Sequence, residues 1–179
     1  MEVKRMAGEL GFEDCRIAPP HSATHADAFR KWLEDGCHGE MAWLERNPDR
    51  RVNPQEVQPG TRAIIVLALS YYVDTKEQKR GRIARYAWGN DYHDLIEKKL
   101  KTFNAQLEEL GGKQRFYVDT GPVLERDYAS DAGLGWNGKS TVQIHRGLGT
   151  WFFLAELLTT LEIATDEPFG DHCGKCTRC

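Results

Sequence analysis

The sequence predicts an α/β (α+β) domain, a mixed sheet with flanking helices, to which a cysteine-bearing tail is appended. Three observations predict it. Ala63-Ile-Ile-Val-Leu-Ala-Leu-Ser70 is a continuous apolar run with β-branched members, short and bounded by Gly60 and polar residues, as expected of a central strand buried on both faces. His93 to Leu110 carries Leu95, Ile96, Leu100, Phe103, Leu107 and Leu110 at helical spacing and meets Gly111-Gly112 as a stop. The last seven residues, Cys173-Gly-Lys-Cys176-Thr-Arg-Cys179, present cysteines at i, i+3 and i+6.

In chain order, Val3, Met6 and Leu10 lie on one face of a first helix from Glu2 to Leu10, which Gly11 is placed to stop. A short strand from Cys15 to Ala18 ends at Pro19-Pro20. Helices follow from about His25 to Glu34 and from Glu40 to Arg46, with Phe29, Leu33, Trp43 and Leu44 as buried candidates. Asn47 to Gly60 holds three prolines and no helical period, and reads as a loop. After the central strand and the long helix, Gln114 to Val118 reads as a strand and Pro122 to Ala132 as a helix. Thr141 to Ile144 and Trp151 to Leu158 read as two strands joined through Gly147 and Gly149 as a hairpin.

At 179 residues the chain suits one well-buried core. With 40% hydrophobic and 28% charged residues and no apolar run near 18 residues, a membrane span is not expected. The start lacks an apolar signal region and a twin-arginine pair, so a cytoplasmic protein is expected. Five cysteines, three crowded at one end, argue against a disulfide framework. Cys15 and Cys37 read as small buried residues. The net charge of -3 does not advertise nucleic-acid binding, although Arg46, Arg50 and Arg51, and again Lys76, Lys79, Arg80, Arg82 and Arg85, form local basic clusters. Each cluster can meet phosphate or simply be a solvated loop.

Asp119-Thr120-Gly121-Pro122 stands at the carboxyl end of a predicted strand and before a helix, where α/β sheets place reacting groups. A carboxyl there can serve as a general acid if partial burial raises its pKa. The alternative is that Asp119 or Thr120 merely caps the following helix. Glu125 and Arg126, inside that helix, either pair across a turn or face a pocket. Gly133 to Ser140 has the spacing of a phosphate loop, but a helix precedes it and a strand follows, so the phosphate-cradling helix N-terminus is missing. A glycine loop approached by a flat cofactor remains open. In Arg85 to His93, Asp91 is a natural N-cap, and Tyr86 and Trp88 default to core. The tail cysteines match the opening of the C-x2-C-x2-C-x3-C-P run that wraps a [4Fe-4S] cluster. A zinc site of three thiolates with His172 is the rival, disfavoured because zinc ligand pairs are usually farther apart.

Five ordered stretches together carry a resemblance. Arg85-Tyr-Ala-Trp-Gly-Asn-Asp-Tyr-His93, Val118-Asp-Thr-Gly-Pro-Val-Leu-Glu-Arg126, Ala132-Gly-Leu-Gly-Trp-Asn-Gly-Lys139, Trp151-Phe-Phe-Leu-Ala-Glu156 and Cys173-x2-Cys-x2-Cys179 resemble epoxyqueuosine reductases in content and order. The resemblance implies reduction of epoxyqueuosine to queuosine at the wobble position of tRNA, with cobalamin and two [4Fe-4S] clusters in a cytoplasmic enzyme. It implies a cobalamin-binding catalytic domain over residues 1–165, similar to that of reductive dehalogenases, and the beginning of a ferredoxin-like module over residues 166–179. By motif position it makes Asp119 the proton donor and puts cobalamin contacts at Arg51, Ala84, Asp119, Arg126, Gln143 and Leu154. Cys173, Cys176 and Cys179 become cluster ligands. The implied partners are tRNA carrying epoxyqueuosine and a protein or small-molecule electron donor, with the enzyme a monomer.

The run ends on its third cysteine, so the sequence reads as the front part of something longer, unable to assemble its clusters normally and inactive alone. Two other readings stay open at this stage. One is a reductive dehalogenase-like corrinoid enzyme on the same scaffold, and the other is a non-enzymatic electron-transfer or zinc-binding module.

Overall fold

The computed structural model describes residues 2–74 and 83–178. Its centre is a four-stranded sheet in the order β1-β2-β6-β3, formed by β1 (Asp14–Ala18), β2 (Ala63–Ser70), β6 (Phe152–Thr159) and β3 (Gln114–Tyr117). Every pairing in it is antiparallel, where a mixed sheet was expected. A helix between two strands permits a parallel crossover but does not compel one, because a long connection can return the chain in either direction. The apolar run of β2 is the innermost strand, as its composition required, with Ala63 through Leu69 all buried.

Helices cover both faces. Ala63, Ile65, Leu67 and Leu69 point to one side, where they meet Val3 and Ala7 of α1 (Glu2–Glu9) and Ile96, Leu100, Phe103 and Leu107 of α5 (Tyr92–Glu109). Ile64, Val66 and Ala68 point to the other, against Tyr128 and Ala129 of α6 (Glu125–Asp131), Val52 of α3 (Pro48–Val52), Val57 of α4 (Pro54–Val57) and Ala26 of α2 (Ala26–Glu34). The period-2 split along one strand therefore builds two cores, one on each side of the sheet. Asp91 caps α5 by accepting from the His93 N–H at 2.9 Å, as the sequence predicted.

Several local expectations are corrected. Residues 47–60 are not loop throughout, because Pro48 and Pro54 each open a short helix at a position where the missing N–H costs nothing. The predicted helix from Glu40 to Arg46 is only a 3-10 turn, Ala42–Leu44, and Trp43 is 56% exposed while Phe29, Leu33 and Leu44 are half-buried. The helix placed at Pro122 begins at Glu125. The expected hairpin does not form: β5 (Gln143–Ile144) pairs with β4 (Trp136–Asn137) in a separate ribbon, which leaves β6 free to bridge β2 and β3. Cys37 is exposed; Cys15 is buried as expected, and burial raises its thiol to about 12, which keeps it inert. Tyr86 is exposed and Trp88 half-buried, so neither is core. Lys76, Lys79, Arg80 and Arg82 lie outside the described residues.

Beyond β6 the chain folds back along the edge of the sheet. Asp166 donates its N–H to the Ile17 carbonyl at 2.8 Å, accepts the Ile17 N–H at 2.8 Å and pairs with Lys4 at 2.5 Å. These bonds cover the outer edge of β1, which would otherwise offer unpaired backbone groups.

Candidate active site

Asp119 sits two residues past β3 with φ at +54°, in a three-residue turn closed by the Thr120 N–H on the Val118 carbonyl at 2.5 Å. Aspartate tolerates this left-handed conformation better than most residues. Asp119 caps no helix, since α6 starts six residues on behind Leu124, which makes no side-chain cap. Its carboxylate accepts from the Tyr92 hydroxyl, and His93 Nε2 stands 3.7 Å from the same oxygen. Tyr92 is fixed in turn by the Phe153 ring, stacked at 3.9 Å and nearly coplanar. His93 Nδ1 lies 2.8 Å from Asp91. The Tyr92 hydroxyl is raised above its ordinary pKa by burial and then by Asp119, so it remains a donor at neutral pH.

The side chain of Asp119 is only partly covered, with 46% of it exposed. Burial lies directly behind it. The Asp119 N–H donates to Glu125 Oε1 at 3.0 Å, and Glu125 faces Glu156, which is wholly buried at the middle of β6. Neither carboxyl oxygen of Glu156 meets a donor. Two carboxylates cannot hydrogen bond to each other, whereas one proton held between them satisfies both. Loss of hydration, the largest cause for each, pushes Glu125 up to about 7 and Glu156 well above the usual carboxylate range. Repulsion from Glu125 adds to the rise at Glu156.

In front of Asp119 opens a cleft of about 680 Å³, lined among others by Phe29 and Trp32 of α2, Arg51 of α3, Glu125 and Arg126 of α6, and Asn137 and Thr141 of the ribbon. Phe29 and Trp32 stack at 6.3 Å as an aromatic wall. Partial burial lowers the pKa of Arg51. Arg126 donates to the Thr141 carbonyl, so it and Glu125 face the pocket and do not pair across a turn.

Of the residues proposed from sequence, Asp119, Arg51 and Arg126 come together on this cleft. Gln143 is buried behind it beside Ser130, at 3.3 Å, and Leu154 is half-buried on the same face of β6 as Glu156. Ala84 is exposed at the start of a 3-10 turn away from the cleft lining. Two glycines of the loop serve the chain's own packing: a Cβ on Gly135 would lie 2.1 Å from the Ile144 carbonyl oxygen, and one on Gly133 2.2 Å from that of Glu167. Gly138 of the same loop lines the cleft.

Lys139, at the end of that loop, donates to the carbonyls of Gly174 at 2.8 Å and Cys176 at 2.9 Å. It clamps the turn in which the Cys176 N–H meets the Cys173 carbonyl at 2.9 Å. Gly174 has φ at +47° and nothing near its Cβ position, so it serves the turn's left-handed backbone and relieves no crowding. Cys179 lies outside the described residues, among which no three ligand-type side chains converge. His172 packs against Trp136 and Phe169.

Sequence reasoning missed Tyr92, the pairing of Glu125 with a second acid, and Glu156. The signal for Glu156 was present, a single carboxyl inside the apolar run Phe-Phe-Leu-Ala-Glu-Leu-Leu.

Comparison with known proteins places this site in context. The family described as Epoxyqueuosine reductase QueG, DUF1730, matches residues 51–120. An epoxyqueuosine reductase of Vibrio cholerae is 39% identical over 99% of this chain and 51% of its own length, and one of Synechocystis is 42% identical over 91% and 58%. The chain belongs to the epoxyqueuosine reductase family. It spans about half the length of the curated family members it matches. The solved enzyme of Streptococcus thermophilus superposes with a TM-score of 0.88 at 28% identity, over 98% of this chain and 49% of that one. An epoxyqueuosine reductase crystallised with an epoxyqueuosine-modified tRNA-Tyr stem loop gives 0.88 at 27%, over 99% and 49%. The Bacillus subtilis enzyme, seen with its aspartate catalytic loop swung out of the active site, gives 0.86 at 26%, over 99% and 49%. The catabolic reductive dehalogenase NpRdhA shares the fold, at a TM-score of 0.61 and 16% identity over 97% and 22%. Among the described residues no helix is long and apolar enough to cross a membrane.

Proposed function

We propose that this chain carries the catalytic domain for reducing epoxyqueuosine to queuosine at the wobble position of tRNA, in the cytoplasm and as a monomer. The observation that supports it most is the placement of Asp119, an exposed carboxyl on a turn at the cleft, held by Tyr92 and backed by the Glu125–Glu156 acid pair, of which Glu156 is buried. Removing an epoxide oxygen as water consumes two electrons and two protons. Residues 1–165 provide the protons and the pocket, and residues 166–179 begin the ferredoxin-like segment.

Cobalamin fits the chemistry of the cleft. Arg51 Nε, Asn137 Oδ1 and Gln143 Nε2 are buried polar atoms without partners, two donors and an acceptor, and the amide groups rimming a corrinoid can both accept and donate. Arg51, Arg126 and Gln143 would hold that rim, while Leu154 and the Asp119 backbone would contact it through apolar surface or main chain. When bound, cobalamin supplies the reducing electrons. Asp119 delivers a proton to the departing oxygen, and Tyr92, locked by Phe153, fixes the direction in which the carboxyl points. Cys173, Cys176 and Cys179 would be ligands of the first of two [4Fe-4S] clusters fed by an external reductant, although only the first two thiols lie on the described turn.

The test is single-turnover deoxygenation of epoxyqueuosine tRNA by reduced holoenzyme bearing Asp119→Asn. The rate should fall about 10²- to 10⁴-fold, the range general acids supply, with the cobalamin visible spectrum unaltered. An unaltered rate would refute the acid role.

A further inference from the structure

We propose that Glu125 and Glu156 form a proton-storing pair that recharges Asp119 after each transfer, with Glu125 the relay and Glu156 its buried positioning partner. The inference rests on Asp119 being the donor. Its own ground is geometric. Glu125 Oε1 holds the Asp119 N–H at 3.0 Å, Glu125 lines the cleft, and Glu156 lies behind it with no donor for either oxygen.

Among the described residues, the groups around Glu156 leave it no other partner. Its cross-strand neighbours are Val66 on β2 and Tyr117 on β3, its neighbours along β6 on the same face are Leu154 and Leu158, and the acids acting on it are Glu125 of α6 and Asp119 of the turn. A cation is absent from this set. The pair thus satisfies itself only by keeping a proton, and burial keeps that proton at neutral pH.

The transfer balances without a further reagent. After Asp119 has given its proton to the departing oxygen, an O–H bond of Glu125 breaks and one forms on the Asp119 carboxylate. Glu125 then takes a proton from a water at the cleft, whose O–H bond breaks and whose hydroxide passes to solvent. Glu156 keeps its own proton throughout and donates a hydrogen bond to whichever form of Glu125 is present, so the relay stays aimed at Asp119.

Glu125→Gln separates relay from scaffold, because its amide oxygen can still accept the Asp119 N–H while carrying no transferable proton. Carbon-13 NMR of the glutamate carboxyl carbons in the full chain, followed from pH 4 to 9, should show one carboxyl titrating near 7 and one resisting ionisation beyond it. These signals should vanish in Glu125→Gln and Glu156→Gln respectively. In the holoenzyme, multiple-turnover rate should fall as pH rises through about 7, and Glu125→Gln should lower it roughly tenfold or more and abolish that limb, with KM for tRNA unaltered. Glu125→Asp should restore part of the rate. Ordinary titration of both carboxyls, or a Glu125→Gln enzyme with an unaltered pH profile, overturns the relay. Failure of the donor assignment is seen separately, as full single-turnover activity in Asp119→Asn.

Discussion

Replacing Glu156 by leucine should stabilise the protein, and by more at higher pH. Position 156 is wholly buried between Leu154 and Leu158, opposite Val66 and Tyr117, so an apolar side chain of similar volume meets apolar neighbours. The Glu156 oxygen turned away from Glu125 is a buried polar atom without a partner, which costs about 1–3 kcal/mol, and that penalty disappears in Glu156→Leu. The pH term adds to it. The native carboxyl is raised well above 4.5, so between pH 5 and 7 the folded chain keeps a proton that the unfolded chain has released. The folded state binds more protons, and wild-type stability therefore falls as pH rises through this window, at a limit of about 1.4 kcal/mol per unit. Over two units the leucine variant should gain up to roughly 3 kcal/mol more on the wild type. Equilibrium urea unfolding followed by circular dichroism at pH 5, 6 and 7 measures both parts. In thermal scans each kcal/mol corresponds to about 2–4 °C for a chain of this size. A variant less stable than wild type at every pH, or a difference that stays flat from pH 5 to 7, would refute the reasoning.

Three other perturbations probe separate parts of the structure. Tyr92→Phe removes the hydroxyl held by Asp119 but keeps the stack on Phe153, so single-turnover rate should drop roughly tenfold with the melting temperature unaltered; an equal loss of both would make Tyr92 merely structural. Gly135→Ala drives a methyl against the Ile144 carbonyl oxygen and should cost about 1–3 kcal/mol in urea unfolding, where a neutral result would show that the ribbon shifts freely. Asp166→Ala releases the Ile17 N–H and Lys4, costing about 1–3 kcal/mol and accelerating amide exchange at Ile17; protection unaltered at that amide would show that the tail does not guard the edge of β1.

The elements that sequence revealed well were those whose signal is local. The run from Ala63 to Ser70 and the spacing of Ile96, Leu100, Phe103 and Leu107 fix a buried strand and an amphipathic helix without knowledge of their partners. Asp91 declared its cap for the same reason. Pairing direction was not legible, because period 2 tells which residues share a face and nothing of the neighbouring strand's direction. The prolines at 48 and 54 were read as breakers, although proline is also the residue that best tolerates a helix start. Asp119 was found from its place after a strand and from motif order. Glu156 was not, because its local signal, one carboxyl inside an apolar run, tells that an acid is buried and nothing of the Glu125 and Asp119 it will meet.

The register of β6 explains how an acid so deep reaches a group so exposed. β3 pairs with β6 so that Tyr117, the last residue of β3, lies opposite Glu156. The chain leaving β3 must turn at once, and the turn at Asp119 carries it back over the same face to begin α6 at Glu125. Tyr117 thus ends the strand, and Gly121, where a Cβ would lie 2.3 Å from the Tyr117 ring, lets the returning chain pass close above it. Asp119 and Glu125, six residues apart, meet the distant Glu156 because one tight turn and one antiparallel pairing bring them together. A one-residue slip of β6 would turn Glu156 toward Ile96 and Leu100 on the opposite core, where no acid awaits it, and would put Ala155 or Leu157 behind Glu125. The leucines flanking Glu156 hold the register against that slip, so the apolar packing of the sheet and the proton supply to Asp119 are set by the same residues.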